Sequence, residues 1–174
     1  GQTLPTFPSD DEFYNNKSKI LIGHCLSYDA ENFYIDLTDK PEQNLLFCGH
    51  FKSFFACMLK FARVTKYFEE LIYIGKTPPE KFTAFASPQE FFEAIKDSRF
   101  DRRRLIILDG CEFSKVSFSS KPSELEFFNF WQELSEHGSH VLAFYETFNR
   151  LKTSNLDYTK IFAHRVACNL PPSH

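Results

Sequence analysis

The chain has 174 residues, 20 Lys+Arg against 23 Asp+Glu for a formal net charge of -3, and 22 Phe. With 43% hydrophobic and 25% charged residues it is neither disordered, fibrous nor low-complexity, and its length suits one domain with a sizeable core. That charge balance gives no overall field to hold nucleic acid, so any such contact must be local or shared with a partner.

Phe is not among the commonest residues of soluble proteins, so the fold must supply a large buried surface for these rings. Apolar runs such as 105–108 fall far short of the ~18 residues of a membrane helix, and the start lacks a charged-then-apolar signal pattern. The reading is a soluble, intracellular chain with no membrane role. Cys25, Cys48, Cys57, Cys111 and Cys168 are odd in number, widely spaced and mostly within apolar segments, which suits reduced buried thiols rather than a disulfide framework.

Residues 1–16 mix Pro, Ser, Asp and Asn without period and read as a flexible lead-in to a single domain over 17–174. The extended segments 19–23 (KILIG) and 32–37 (NFYIDL) flank a polar SYDAE turn and predict a hairpin. Beyond Pro41, short apolar runs alternate with helical patterns. LLFC (45–48) predicts a buried strand, and Phe51, Phe54, Phe55, Met58, Phe61, Ala62, Thr65 and Phe68 then fall on one helical stripe. LIYIG (71–75) is the next strand. Ser87-Pro88-Gln89-Glu90 joins a capping-box serine to a Pro at the first helical position and predicts a helix to about Ser98.

RLIILD (104–109) predicts the most apolar strand. Ser123-Glu124-Leu125-Glu126 repeats the capping signature, with Phe127, Phe128, Trp131 and Leu134 as the buried face and Gly138 as the stop. HVLAFYE (140–146) and KIFAHRVAC (160–168) close the series as strands. Such an order is that of βαβ units, an α/β fold whose mainly parallel sheet carries helices on both faces.

Ligands of α/β sheets sit at the carboxyl ends of the strands. Gly49-His50-Phe51-Lys52-Ser53 stands where GxxxxGK[ST] would, with Lys52 and Ser53 in order. From Gly49 to Lys52 is three steps where the motif has six, and Phe51 replaces the glycine before the lysine. Backbone N–H groups cannot wrap a phosphate in so short a loop. The segment reads either as a degenerate phosphate loop or as a plain helix start with a solvent-exposed lysine. Gly75-Lys76-Thr77 spells the end of the same motif, but strand-like LIYI precedes it and Pro78-Pro79 follows, leaving no loop for phosphates.

LIILDG has the form of a Walker-B strand whose Asp109 would hold magnesium indirectly, and Asp-Gly is equally ordinary turn chemistry. Cys48-x-His50 and His24-Cys25 lack paired zinc spacings, and no GxSxG elbow is present, so no metal and no serine nucleophile is expected. Arg102-Arg103-Arg104 is the densest basic run and reads as a solvated edge. Residues 147–158 (TFNRLKTSNLDY) read as a mobile polar loop on which Phe148, Arg150 and Lys152 would grip single-stranded nucleic acid by stacking and phosphate contact.

From about Leu45 to Cys168 the chain resembles a RecA-type ATPase core, and specifically the small eukaryotic recombinase paralogues. The resemblance rests on LLFCGHFKSFF as strand, shrunken phosphate loop and first helix; on LIYIG as the next strand; on RRLIILDG as the Walker-B strand; and on HVLAFYE followed by a loop and a closing strand. It implies a RecA-like fold and assigns Gly49, Lys52, Ser53 and Asp109 to a degenerate nucleotide site. The family's catalytic glutamate belongs just beyond the strand after the first helix, where this chain has Gly75-Lys76-Thr77.

What the resemblance implies is therefore a pseudo-ATPase, not an enzyme and with no cofactor of its own. It would be a nuclear scaffold in homologous recombination and DNA repair, a heterodimer with a larger recombinase paralogue that remodels recombinase filaments on single-stranded DNA. Within RRLIILDGCEF, Leu105, Ile106, Ile107, Leu108, Asp109 and Phe113 are expected to form the partner interface. Two other readings stay open: a RecA-like subunit of another hetero-oligomer, such as the Elongator tRNA-modification complex, and a genuine nucleotide enzyme using Lys52, Ser53 and Asp109.

Overall fold

The computed structural model describes residues 19–21, 34–36, 44–64, 67–113 and 121–168; the lead-in 1–16 and the SYDAE turn lie outside these. Strands β1 (Lys19–Leu21) and β2 (Tyr34–Asp36) pair antiparallel with Ile20 opposite Ile35, as the hairpin reading requires. The main sheet is built from β3 (Leu45–Gly49), β4 (Glu70–Ile74), β5 (Thr83–Phe85), β6 (Arg104–Asp109), β7 (His140–Tyr145) and β8 (His164–Cys168). All six run parallel, in the order β5-β4-β6-β7-β3-β8. Between them lie the helices α1 (Lys52–Val64), α2 (Pro88–Ile95) and α3 (Lys121–Leu134).

This is the expected α/β class, and its strand order is neither of the two common doubly wound orders, in which the first parallel strand sits near the middle or beside the second. Here β3 lies between β7 and β8. The step from β3 to β4 runs toward the β5 edge, whereas β5 to β6, β6 to β7 and β7 to β8 all run toward the β8 edge. Right-handed crossovers in opposite directions place their covering segments on opposite faces. Accordingly, Met58 and Ala62 of α1 pack with Leu45, Phe47, Leu105, Ile107 and Phe144 on one face. Phe91, Phe92, Phe127 and Trp131 of α2 and α3 pack with Leu46, Ile72, Ile106 and Leu108 on the other, joined by Leu151 and Tyr158 of the last connection.

Several boundaries differ from the sequence reading. Helix α1 ends at Val64, so Phe68 is not on its stripe. At α2, Ser87 Oγ does accept from Glu90 N at 3.2 Å, but Glu90 Oε2 returns to Ala86 N at 3.1 Å and the helix stops at Ile95, short of Ser98. Helix α3 begins at Lys121, so Ser123 lies inside its first turn rather than capping it. The short edge strand β5, with Thr83 and Ala84 exposed, has no period to announce it. Residues 158–161 form a 3₁₀ turn, and the strand expected from 160 begins only at His164.

The basic run is a clamp at the start of β6 rather than a uniformly solvated edge. Arg104 is 4% exposed and its Nε donates to Glu70 Oε2 at 2.9 Å, while Arg103 Nε donates to Tyr67 O at 2.9 Å; Arg102 alone is exposed. At the start of β3, buried Asn44 receives Val141 N on its Oδ1 at 2.8 Å and donates Nδ2 to Ile161 O at 3.2 Å. It ties three segments far apart in sequence.

Strand β6 corrects the expected partner interface. Leu105, Ile106, Ile107 and Leu108 are all 0% exposed and Phe113 is 1% exposed, so these side chains have no surface to offer another chain. A parallel strand covered on both faces reads as a continuous apolar run for that reason. Of the expected interface residues, Asp109 is the one that reaches partly toward the surface. We expect Ile107→Ala to lower the unfolding free energy by about 2–5 kcal/mol, and Leu125→Ala, at a half-exposed position of α3, by less than about 0.5 kcal/mol. Urea melts of the two variants check this.

Candidate functional site

The carboxyl ends of β3, β4, β6 and β7 gather the residues singled out from the sequence. At β3, Gly49 has φ 112°, a conformation that favours glycine, and His50 and Phe51 are the whole link to α1. Phe51 O accepts from Phe55 N at 2.8 Å, so the helix starts at once. The Phe51 ring lies 5.7 Å from that of Phe144 on the neighbouring β7, which is also stacked on Phe47 at 4.9 Å and met edge-on by Phe55 at 5.0 Å. Four aromatic rings thus occupy the space beneath the start of α1. Lys52 is exposed at the first helical position, and Ser53 lies in the same turn. That turn carries no acidic residue, against the preference set by the helix dipole.

Asp109 ends β6, and β7 separates it from β3; in register Asp109 stands level with Phe47, about 10 Å away across two strand spacings, with Gly49 two residues farther along β3. The carboxylate is already engaged. Tyr73, fully buried on β4, donates its hydroxyl to Asp109 Oδ2 at 2.6 Å. The Tyr73 hydroxyl oxygen in turn accepts Thr77 N at 3.1 Å and lies 3.3 Å from Thr77 Oγ1. A phenol has one proton and two lone pairs, so with its proton on Asp109 it receives both Thr77 groups and is saturated. Burial, and next the Asp109 carboxylate that takes its proton, push the Tyr73 phenol above its ordinary 10.0. Gly75 makes room: a Cβ there would stand 2.6 Å from the Tyr73 oxygen.

The position of this knot matters. From β4 the chain leaves toward the β5 edge and from β6 toward β7, and ligands of open α/β sheets enter where neighbouring strands send their connections apart. Just beyond, Cys111 donates its thiol to Ile74 O at 2.9 Å, and Tyr145 donates its hydroxyl to Cys111 O at 2.6 Å. Burial above all pushes the Cys111 thiol up to about 12, which leaves no thiolate for nucleophilic chemistry at neutral pH.

The segment after β7 is a built turn rather than a mobile loop. Phe148–Leu151 is 3₁₀, Lys152 pairs with Asp157 in an antiparallel bridge, and Thr153 N donates to Leu156 O at 2.9 Å. Glu124 of α3 accepts from Thr153 Oγ1 and Asn155 Nδ2, each at 3.2 Å. Phe148 is half-buried, with the Arg165 guanidinium 5.8 Å from its ring centre, while Arg150 donates to Gly110 O at 3.0 Å. Arg150 and Lys152 remain exposed. Arg165 is a cation that sequence reading missed, since only the register of β8 carries it to Phe148. Tyr73 was missed likewise, because within LIYI it reads as one more core aromatic.

Among the described residues no group of three or more His, Cys, Asp or Glu is arranged to hold a metal, and no helix is long and apolar enough to cross a membrane. No family model matches the chain, and no curated protein matches it in sequence.

Tyr73→Phe strands the Thr77 amide and one Asp109 oxygen, and we expect it to cost about 1–3 kcal/mol and to speed hydrogen exchange at Thr77. Asp157 offers a pH handle. Burial alone would raise its carboxyl, but hydrogen bonds from the Thr159 hydroxyl and N–H, with Lys152 and Arg165 nearby, outweigh this and hold it below its ordinary 3.8. A depressed folded-state value stabilises fully above the ordinary one and loses that effect as the pH falls through it. Thermal melts of wild type and Asp157→Asn should therefore differ at neutral pH and draw together below pH 3.8.

Proposed function

We propose that the chain is a non-catalytic RecA-like subunit, a recombinase paralogue that serves as a nuclear scaffold in homologous recombination and DNA repair. It pairs with a larger paralogue and helps remodel recombinase filaments on single-stranded DNA. The recombination half of this reading rests on the resemblance carried by LLFCGHFKSFF and RRLIILDG. The observation that carries the non-catalytic half is Phe51, whose ring packs on Phe144 in a link too short to circle a phosphate.

Three further features support it. A single strand, β7, lies between β3 and β6, so the start of α1 and Asp109 share one end of the sheet, which favours the RecA-type plan. Yet Asp109 Oδ2 accepts the Tyr73 hydroxyl at 2.6 Å, so one of its oxygens is committed within the fold, which favours a degenerate site. The exposed pair Arg150 and Lys152 supports contact with a phosphodiester chain from a turn whose geometry is already set, which lowers the entropy lost on binding. Phe148, covered by Arg165, contributes packing rather than an open stacking platform.

The purified chain should neither turn over ATP nor bind it at millimolar concentration, and Lys52→Glu should raise the melting temperature by about 1–3 °C, because the first turn of α1 carries no acidic residue. ATP turnover abolished by Lys52→Ala would overturn the non-catalytic reading. Co-purification from native extract should return a larger RecA-type paralogue. Preference for tRNA over single-stranded DNA in parallel binding assays would sink the recombination reading. Lys152→Ala should weaken single-strand binding and reduce the slope of log K against log salt by about 0.7.

A further inference from the structure

The knot between β4 and β6 contains a hydroxyl that this functional reading leaves unused. Thr77 is exposed at the turn that follows β4, and Pro78 and Pro79 come directly after it. A residue before proline is biased to an extended backbone, and neither proline has an N–H to draw the segment into a ladder or helix. Thr77 is also the outermost of three linked groups. Because the Tyr73 hydroxyl donates its one proton to Asp109 Oδ2 at 2.6 Å, the 3.3 Å contact between Tyr73 and Thr77 Oγ1 has threonine as donor. A change at this surface hydroxyl is therefore felt at the buried end of β6.

We propose that Thr77 is a phosphoryl acceptor for a proline-directed Ser/Thr kinase, and that its modification unlatches the end of β4 from the end of β6. In the transfer, Thr77 Oγ1 attacks the γ-phosphorus of ATP. The new O–P bond replaces the bond to the ADP oxygen, ADP leaves, and the hydroxyl proton passes to the kinase's base. Phosphothreonine has no Oγ1 proton to give Tyr73, and it brings a charge of about -1.5 to -2 to within one phenol of the Asp109 carboxylate. Like charges so placed repel, and the turn at 75–77 relieves this by swinging outward. Lys76 and Lys81, exposed on the same connection, then pair with the phosphate in solvent.

The sequence holds two Ser/Thr-Pro steps, Thr77-Pro78 and Ser87-Pro88, and they differ in sign. Ser87 caps α2, where a phosphate would be favoured by the helix dipole and stabilise. Thr77 sits beside a carboxylate, where it destabilises. This inference stands apart from the recombinase reading and survives its failure.

The test is to incubate the full chain with Mg-ATP and a proline-directed kinase, locate the phosphate by peptide mass spectrometry, and melt the product. We expect Thr77 to be modified, the melting temperature to fall by about 3–6 °C, and exchange at the Thr77 amide to accelerate. Thr77→Ser should accept phosphate with the same fall, and Thr77→Ala should show no fall. In Tyr73→Phe, where the latch is already absent and only the repulsion from Asp109 remains, phosphorylation should lower the melting temperature by less than in wild type. Modification elsewhere with Thr77 bare, an unchanged or raised melting temperature, or an equal fall in Tyr73→Phe would each overturn the proposal. Should Tyr73→Phe fail to fold, unchanged exchange at the Thr77 amide of the phosphorylated wild-type chain overturns it instead.

Discussion

A sheet of parallel strands has no wet side, because the crossovers that join its strands must themselves lie on its faces. In this chain that constraint accounts for the abundance of Phe, the division of the helices and the burial of β6. Each inner strand presents apolar groups alternately to two separate cores, one under α1 and one under α2 and α3. Phe47, Phe51, Phe55 and Phe144 fill the first beneath α1, and Phe91, Phe92, Phe113, Phe127 and Phe130 cluster with Trp131 in the second. Each ring removes much apolar area from water at the cost of few rotatable bonds, so short helices can cover a broad sheet.

The two openings that such a sheet would leave at its carboxyl end are closed by different chemistry. Beneath the start of α1 the filling is apolar, a set of rings in face and edge contact. Between β4 and β6 it is polar, a phenol that meets a carboxylate, an amide and a hydroxyl at once. Apolar filling can be undone only by repacking a core. A polar knot is undone by changing one proton or one charge, and its low-dielectric surroundings make each of its bonds count for more than it would in water.

Those elements with strong local signals were legible from the sequence. RLIILD spans β6 to the residue, since a run buried on both faces needs no period, and Ser87-Pro88 announces α2 through capping chemistry that is independent of tertiary context. Misplaced features were those decided by distant partners. Ser123 looks like a cap, but α3 gains two residues before it; β5 is a strand only because β4 lies beside it. The candidate site divides in the same way. Asp109 and Lys52 were visible from their neighbours in the chain, whereas Tyr73 and Arg165 matter through Asp109 and Phe148, partners distant in sequence that no local pattern connects. Burial of β6 was legible too, and an apolar run of that kind belongs to the centre of the sheet rather than to an interface.

Placing β3 between β7 and β8 sets a schedule for folding. Leu45 pairs with Leu142 and His164, so the first strand of the sheet to be synthesised has neither neighbour until most of the chain exists. Until then α1 has little of the sheet to cover, and its rings stay in water. Non-local closure of this kind is slow, and a chain paused before β7 would display aromatic surface and an unpaired strand together. The place of β3 between two strands that are made late therefore leaves the nascent chain with apolar segments in water that the finished fold covers.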